Sequence, residues 1–370
     1  MAVAGHQSQE NGEQVNVLTA YMMREVLKGS FIALLLLLTL FNLFTLSDEL
    51  KYLGKGTYGL KEIFYFILLV SPTTVYELIP ASALLGSLFI LGNMGNNREL
   101  IAMQAAGLSI FGIIKAVMLA GAVLVAIALL VGEVVAPNAE RAARTLKVTA
   151  QSGQVVLNAK YGLWLREGKK FINVRQVKDD GGLADISIYE LNDQRHLRRV
   201  THAEQATYMA DQQWKLERIN YSDISKEQML ANQQSEQIWT SSIEPDLLKV
   251  VVVSADNLSL YDLAMYVDYL KDNHQKAQVF EMAFWGRVVN PLLTFVMLLV
   301  SVPFVIGVKR GVNVGTRMMI GIVLGMGFNL VDKIVGHIGL IYELNPPLIA
   351  VAPSFIALVL ALFAVSRLQV

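Results

Sequence analysis

The 370-residue chain is 54% hydrophobic and only 17% charged, with a mean hydropathy of +0.45. Soluble domains carry about 25% charged residues, so a plain cytosolic globule is excluded. Thirty-one basic and 31 acidic side chains cancel, giving no bulk attraction to nucleic acid, and the lack of cysteine removes disulfides, thiolate metal sites and cysteine nucleophiles. The composition describes an integral membrane protein with a soluble insert.

A bilayer core requires about 20 apolar residues in a helix. Residues 29–47, which include FIALLLLLTLFNLF, are uncharged and form a first span, entered through VLTAYMMREVLKG with Arg24 and Lys28 at the interface. The segment SDELKYLGKG follows instead of a small-residue cleavage site, so this helix is read as retained. Residues 63–92 make a second span, with Pro72 and Pro80 inside it and Glu77 as its one charge. Residues 108–135 make a third, with Lys115 near its start and Glu133 near its end. After a long change of composition, spans at about 285–308, 318–342 and 344–366 complete two groups of three.

Short loops set orientation. With the N-terminus cytoplasmic, that side holds Arg24, Lys28, Arg98, Lys115, Lys309, Arg310, Arg317 and Arg367, against Lys51, Lys55 and Lys61 opposite. Both termini are therefore expected in the cytoplasm and the central segment outside, in a bacterial periplasm. The segment alternates with the period of two expected of strands in GLWLREG, KFINVRQV, ADISIYEL and QWKLERINY, and a KVVVVS run closes it. At least seven short strands without intervening helices predict an antiparallel sandwich or jelly roll. Ser259 then caps a helix, LYDLAMYVDYLKDN. The expected organisation is an N-terminal membrane half over 1–135, a β domain with flanking helices over 136–273 and a C-terminal membrane half over 274–370.

The motifs of several chemistries are missing. The phosphate loop GxxxxGK[ST] is absent, its nearest approach being GLWLREGKK from Gly162, and neither HExxH nor GxSxG occurs. His6, His196, His202, His274 and His337 have no ligand spacing. No catalytic or metal site and no cofactor are assigned, so any energy source lies on another chain.

Two constellations carry the functional expectation. Between spans two and three, residues 97–107 read as a short cytoplasmic helix with Glu99, Leu100, Met103 and Gln104 at helical spacing, able to seat in a soluble partner. Its plain alternative is a connecting helix on lipid headgroups. On the outer side, Lys51 and Lys55 follow span one, and Arg141, Arg144 and Lys147 lie at three-residue steps after span three, on one side of a continuing helix. Such a ring of cations can bind lipid phosphates, or be an ordinary solvated face. Glu77, Asp332 and Lys333 are the ionisable residues at or near membrane depth, where packing contacts or a proton relay would account for them. Gly321, Gly325 and Gly327 allow close helix approach on span five.

RELIAMQAAG (98–107), GEVVAPNAER (132–141), GLWLREGKKFINV (162–174), ISIYELN (186–192) and GTRMMIGIVLGMGFNLVDKIVG (315–336) together resemble the LptF/LptG permeases of lipopolysaccharide export, in the family's order and over nearly the whole chain. MQAAG, GEVVAP and VDKIVG are more similar to the family's LptG branch. The resemblance implies an α-helical membrane protein with six transmembrane helices and a periplasmic all-β jellyroll inserted between helices 3 and 4. It further implies a heterodimer with LptF, a docked LptB homodimer that binds the ATP and magnesium, a helix of LptC alongside, and delivery of lipopolysaccharide to LptA. Carried over by position, Glu99 matches the acidic residue seated in LptB, Lys51 a basic position after span one, and Arg144 and Lys147 basic positions after span three. Thr45 and Tyr52 stand where the family has basic residues, a departure for which Lys55 would compensate; Glu77 has no counterpart. Alternatives are the paralogous LptF role, a proton-coupled carrier using Glu77 and Asp332, and a periplasmic sensor or scaffold.

Overall fold

The computed structural model describes residues 2–152, 163–178, 182–210, 212–225, 228–241, 243, 255, 258–306 and 314–367. Its helices are α1 (Ala2–Glu49), α2 (Leu60–Asn96), α3 (Glu99–Ala105), α4 (Ile110–Leu130), α5 (Ala136–Ser152), α6 (Leu260–Asp272), α7 (Gln278–Ile306), α8 (Val314–Ile341) and α9 (Pro346–Ser366). A 3-10 turn, Leu50–Tyr52, ends α1, and one π-helical turn, Val131–Val135, joins α4 to α5. Among the described residues, six helical stretches are long and apolar enough to cross a membrane: Val17–Tyr52, Leu60–Asn96, Ile110–Gln151, Gln278–Val305, Met319–Ile341 and Pro346–Ser366. The chain divides into two units, one of residues 1–45, 71–136 and 281–370, the other of 46–70 and 137–280.

In the first unit α2 is the central helix. It continues through Pro72 and Pro80 and buries Tyr76, Ile79, Leu84, Leu88 and Leu91 against Met22 and Val26 of α1, Ile113, Val117 and Leu124 of α4, and Leu298 and Val302 of α7. Without water to drive apolar surfaces together, membrane helices gain most from close backbone packing at small residues. Gly86 provides it: a Cβ there would lie 2.2 Å from the Ser30 backbone nitrogen and 2.4 Å from Gly29 C, so α1 and α2 touch backbone to backbone. Gly321 of α8 fits against Leu85 and Leu88 of α2, and nothing lies within 4 Å of the Cβ position of Gly327.

The second unit contains one antiparallel meander, β1 (Leu163–Glu167), β2 (Lys170–Val177), β3 (Leu183–Leu191), β4 (Leu197–Ala210), β5 (Gln213–Ile224) and β6 (Met229–Thr240), in sequence order. Register explains its apolar face. Ile172 pairs with Ile188, Val174 with Ile186, Ile186 with Ala203, Ala203 with Ile219 and Ala206 with Leu216, and all of these are buried. Period two thus stacks each strand's inward residues in rows across the sheet. The expected segments appear as β1, β2, β3 and β5. The KVVVVS run, expected to close the β segment, lies outside the described residues. β6 has almost no buried residue, because MLANQQSEQIWT offers no apolar alternation until Trp239. Ser259 caps α6 as expected, its hydroxyl accepting from the Asp262 N–H at 3.1 Å.

Candidate functional site

The five predicted cations all lie in the second unit. Lys51 sits in the 3-10 turn after α1, paired with Asp48 at 2.7 Å, both side chains 70% exposed. Exposed pairs of this kind contribute little and leave the ammonium available. Lys55, also exposed, stands over the Tyr52 ring at 4.7 Å. The loop that carries it is fixed by Gly56 (φ +60), where a Cβ would be 2.4 Å from the Ala150 carbonyl oxygen. That carbonyl belongs to the last turn of α5. Thr57 donates to it from its N–H at 2.7 Å and its hydroxyl at 3.1 Å.

On α5 the cations are held more tightly. Arg141 is bonded to Asp262, which also accepts from the Ser259 hydroxyl at 2.7 Å. Arg144 bonds Glu140 one turn earlier at 2.8 Å and lies 5.9 Å from the Phe66 ring. Lys147 donates to Glu49 Oε1 at 2.7 Å and sits 4.2 Å from the Tyr52 ring and 5.0 Å from that of Phe66. Glu49 Oε2 accepts from the Tyr58 hydroxyl at 2.9 Å. Burial, with the Glu49 carboxylate beside it, pushes the Tyr58 phenol up, so it remains a donor. One aromatic ring at position 52 thus holds two ammonium groups, Lys55 from the loop and Lys147 from α5.

The second constellation, α3, lies in the first unit. Arg98, in the left-handed region at φ 64, turns the chain into the helix. Glu99 is half-buried and held by Tyr21 of α1, whose hydroxyl donates to Oε2 at 3.3 Å. Leu100 and Met103, expected to face a partner, are instead each only 7% exposed and belong to the apolar core. The reason is geometric: positions i and i+3 share one helical face, and these two meet the bundle. The outward face carries Ile101, 46% exposed, with Ala102, Gln104 and Ala105.

Of the ionisable residues at membrane depth, Glu77, Asp332 and Lys333 are all exposed on their helices. The buried charged centre lies elsewhere. Arg287 of α7, with its side chain 4% exposed, donates to Glu133 Oε1 at 2.8 Å and to the Gly132 carbonyl, and stacks on Tyr76 at 5.1 Å. Both acceptors belong to the π turn, which by widening the helix leaves a carbonyl free for a side chain. The Tyr76 hydroxyl closes the group by donating to the Arg287 carbonyl at 3.0 Å. Sequence reasoning did not single out Arg287, which lies just inside the expected fourth span at about 285–308. Glu133 in an otherwise apolar span end was the available signal, since a carboxylate there requires a cation. Glu49, two residues before Lys51 in the sequence, was likewise not singled out.

Helices long and apolar enough to span a membrane, with a six-strand sheet inserted after the third and a short helix between the second and third, fit the membrane subunit of a transporter. The profile of the family described as lipopolysaccharide export system permease LptF/LptG matches residues 20–367. The chain belongs to this family. It is 33% identical over 354 residues to the lipopolysaccharide export system permease protein LptG of Haemophilus influenzae, covering 95% of this chain and 99% of the relative. It is 32% identical over 353 residues to the protein of the same name from Escherichia coli K12, covering 95% and 98%.

Proposed function

We propose that this chain is the LptG-type permease subunit of an ATP-driven lipopolysaccharide export complex in the inner membrane of a Gram-negative bacterium, with its termini in the cytoplasm and its β domain in the periplasm. It pairs with LptF, rests on an LptB homodimer that binds and hydrolyses ATP with magnesium, carries no catalytic group or cofactor of its own, is joined by LptC, and passes lipopolysaccharide towards LptA. Family membership, with 32–33% identity to two LptG proteins over 95% of the chain, supports this assignment over the paralogous role.

Within the site, one observation carries the substrate reading: Lys55 and Lys147 converge on the single ring of Tyr52. Tyr52 stands where the family resemblance calls for a cation, and the ring gathers two. Lys51, Lys55, Arg141, Arg144 and Lys147 then receive lipid A phosphates by charge-assisted hydrogen bonds. On the cytoplasmic side, Glu99 and the outward face of α3 contact LptB, while Leu100 and Met103 carry the movement of that helix into the core.

Reconstitution of this chain with LptF, LptB and LptC, followed by ATP-dependent release of lipopolysaccharide to LptA, tests the assignment. Release should require both this chain and a hydrolysis-competent LptB. Assembly with LptG in place of LptF would assign it the other permease role, and transport without the ATPase would overturn the reading.

A further inference from the structure

The ammonium of Lys147 is not a vacant phosphate ligand. Its side chain is 16% exposed, lies against two aromatic rings and bonds a carboxylate whose own side chain is 8% exposed. A cation withdrawn from water in this way requires a compensating charge. Glu49 provides it and is itself fully engaged, one oxygen accepting from Lys147 and the other from Tyr58. The two partners are unequal in their surroundings. Glu49 is the last residue of α1, where the helix dipole disfavours an anion, whereas Lys147 lies before the last turn of α5, outside the reach of that effect. Of the two, Glu49 is the partner held against its local field. A phosphate monoester brings more acceptor oxygens and up to twice the charge.

From this geometry we propose that Glu49 is an internal counter-anion occupying the Lys147–Tyr58 seat, and that an anionic phosphate on the transported lipid binds there by displacing it. The inference rests on the reading of this cluster as a phosphate site and adds a competitor to it. Lys147 is thereby held between Tyr52 and Phe66 without ligand, and the exchange of one anion for another makes binding at this seat reversible.

The test uses the full chain assembled with its partner subunits in nanodiscs, and bis-phosphorylated lipid A with its fully dephosphorylated form as probes. Glu49→Gln keeps the shape and an acceptor for Tyr58 but removes the competing charge. It should tighten binding of bis-phosphorylated lipid A about tenfold, the lower end of what a charged hydrogen bond contributes, and leave the dephosphorylated lipid unaffected. Adding Lys147→Met to Glu49→Gln should erase the gain. A second measurement needs no variant: a carbodiimide joins a carboxylate and an amine in contact, so the wild-type chain should yield a Glu49–Lys147 isopeptide, and phosphorylated lipid A should suppress it. Equal or weaker binding by Glu49→Gln, or an isopeptide yield unchanged at saturating phosphorylated lipid A, would overturn the inference while leaving the phosphate site standing. Failure of the wild type to distinguish the two lipids would instead remove the phosphate reading on which it rests.

Discussion

Replacing Arg287 with methionine tests the buried centre of the membrane unit directly. The guanidinium holds the Glu133 carboxylate at 2.8 Å, satisfies the Gly132 carbonyl and covers the Tyr76 ring. Methionine keeps much of the apolar volume but leaves a carboxylate without its cation and a π-turn carbonyl without its donor. Breaking a buried pair by removing one partner costs about 3–5 kcal/mol, and since Glu133 is 26% exposed the lower end applies. At about 2 °C per kcal/mol for a chain of this size, the midpoint of thermal unfolding should fall by about 6 °C. Adding Glu133→Gln removes the stranded charge and should restore about half of that loss, a coupling measurable as a double-mutant cycle. Intrinsic tryptophan fluorescence during heating of the purified complex reads the midpoint, and Trp285 lies two residues from the substituted position. A single variant within about 1 °C of wild type, or a double variant no better than the single, would refute the view that the pair is structural.

Other expectations follow from the two constellations and from helix and sheet packing. On α3, Glu99→Lys should abolish stimulation of transport by ATP while leaving the unfolding midpoint near wild type, whereas Leu100→Ala should destabilise the chain by about 2–3 kcal/mol through the cavity it leaves; the two losses separate in paired transport and melting assays. Gly86→Val drives a side chain into the Ser30 backbone, which cannot move aside, and should cost about 3 kcal/mol or separate α1 from α2, seen as low folded yield on size exclusion. In the sheet, the two guanidinium bonds from Arg199, at 2.6 and 3.0 Å, hold the Asp223 carboxyl below its ordinary range. A lowered carboxylate pKa contributes stability that is present above the unfolded-state pKa and is lost as pH falls through the folded one. The wild-type β domain should therefore lose stability on acidification below about pH 4, and Arg199→Met should flatten that limb of a melting-against-pH curve.

What the sequence made legible was what periodicity and length encode. Uninterrupted apolar runs located the spans, and alternation located β1, β2, β3 and β5, because each signal is local and repeats along one element. β6 carries no such signal, since its pairing to β5 rests on backbone hydrogen bonds and its side chains lie mostly outside the buried rows. Direction on a helix face was harder still. Leu100 and Met103 read as a docking stripe because an apolar i, i+3 pair looks the same whether it meets a partner or its own bundle.

The basic cluster shows a deeper version of the same limit. Spacing placed Arg141, Arg144 and Lys147 on one side of α5, but their partners come from positions as far apart in sequence as Glu49 and Asp262. Counting cations gives the sign of a surface; only the fold tells which charges are already matched. Here Lys51 and Lys55 are exposed, whereas Lys147 is already matched by Glu49 and, under the proposed exchange, would reach a ligand only by displacing it. A site built this way would bind by competition rather than by vacancy, and that would suit a transporter, which must release the lipid it has bound. Tight, uncontested coordination by five cations would hold a phosphorylated lipid in place, whereas a resident carboxylate would supply the anion that replaces it on departure.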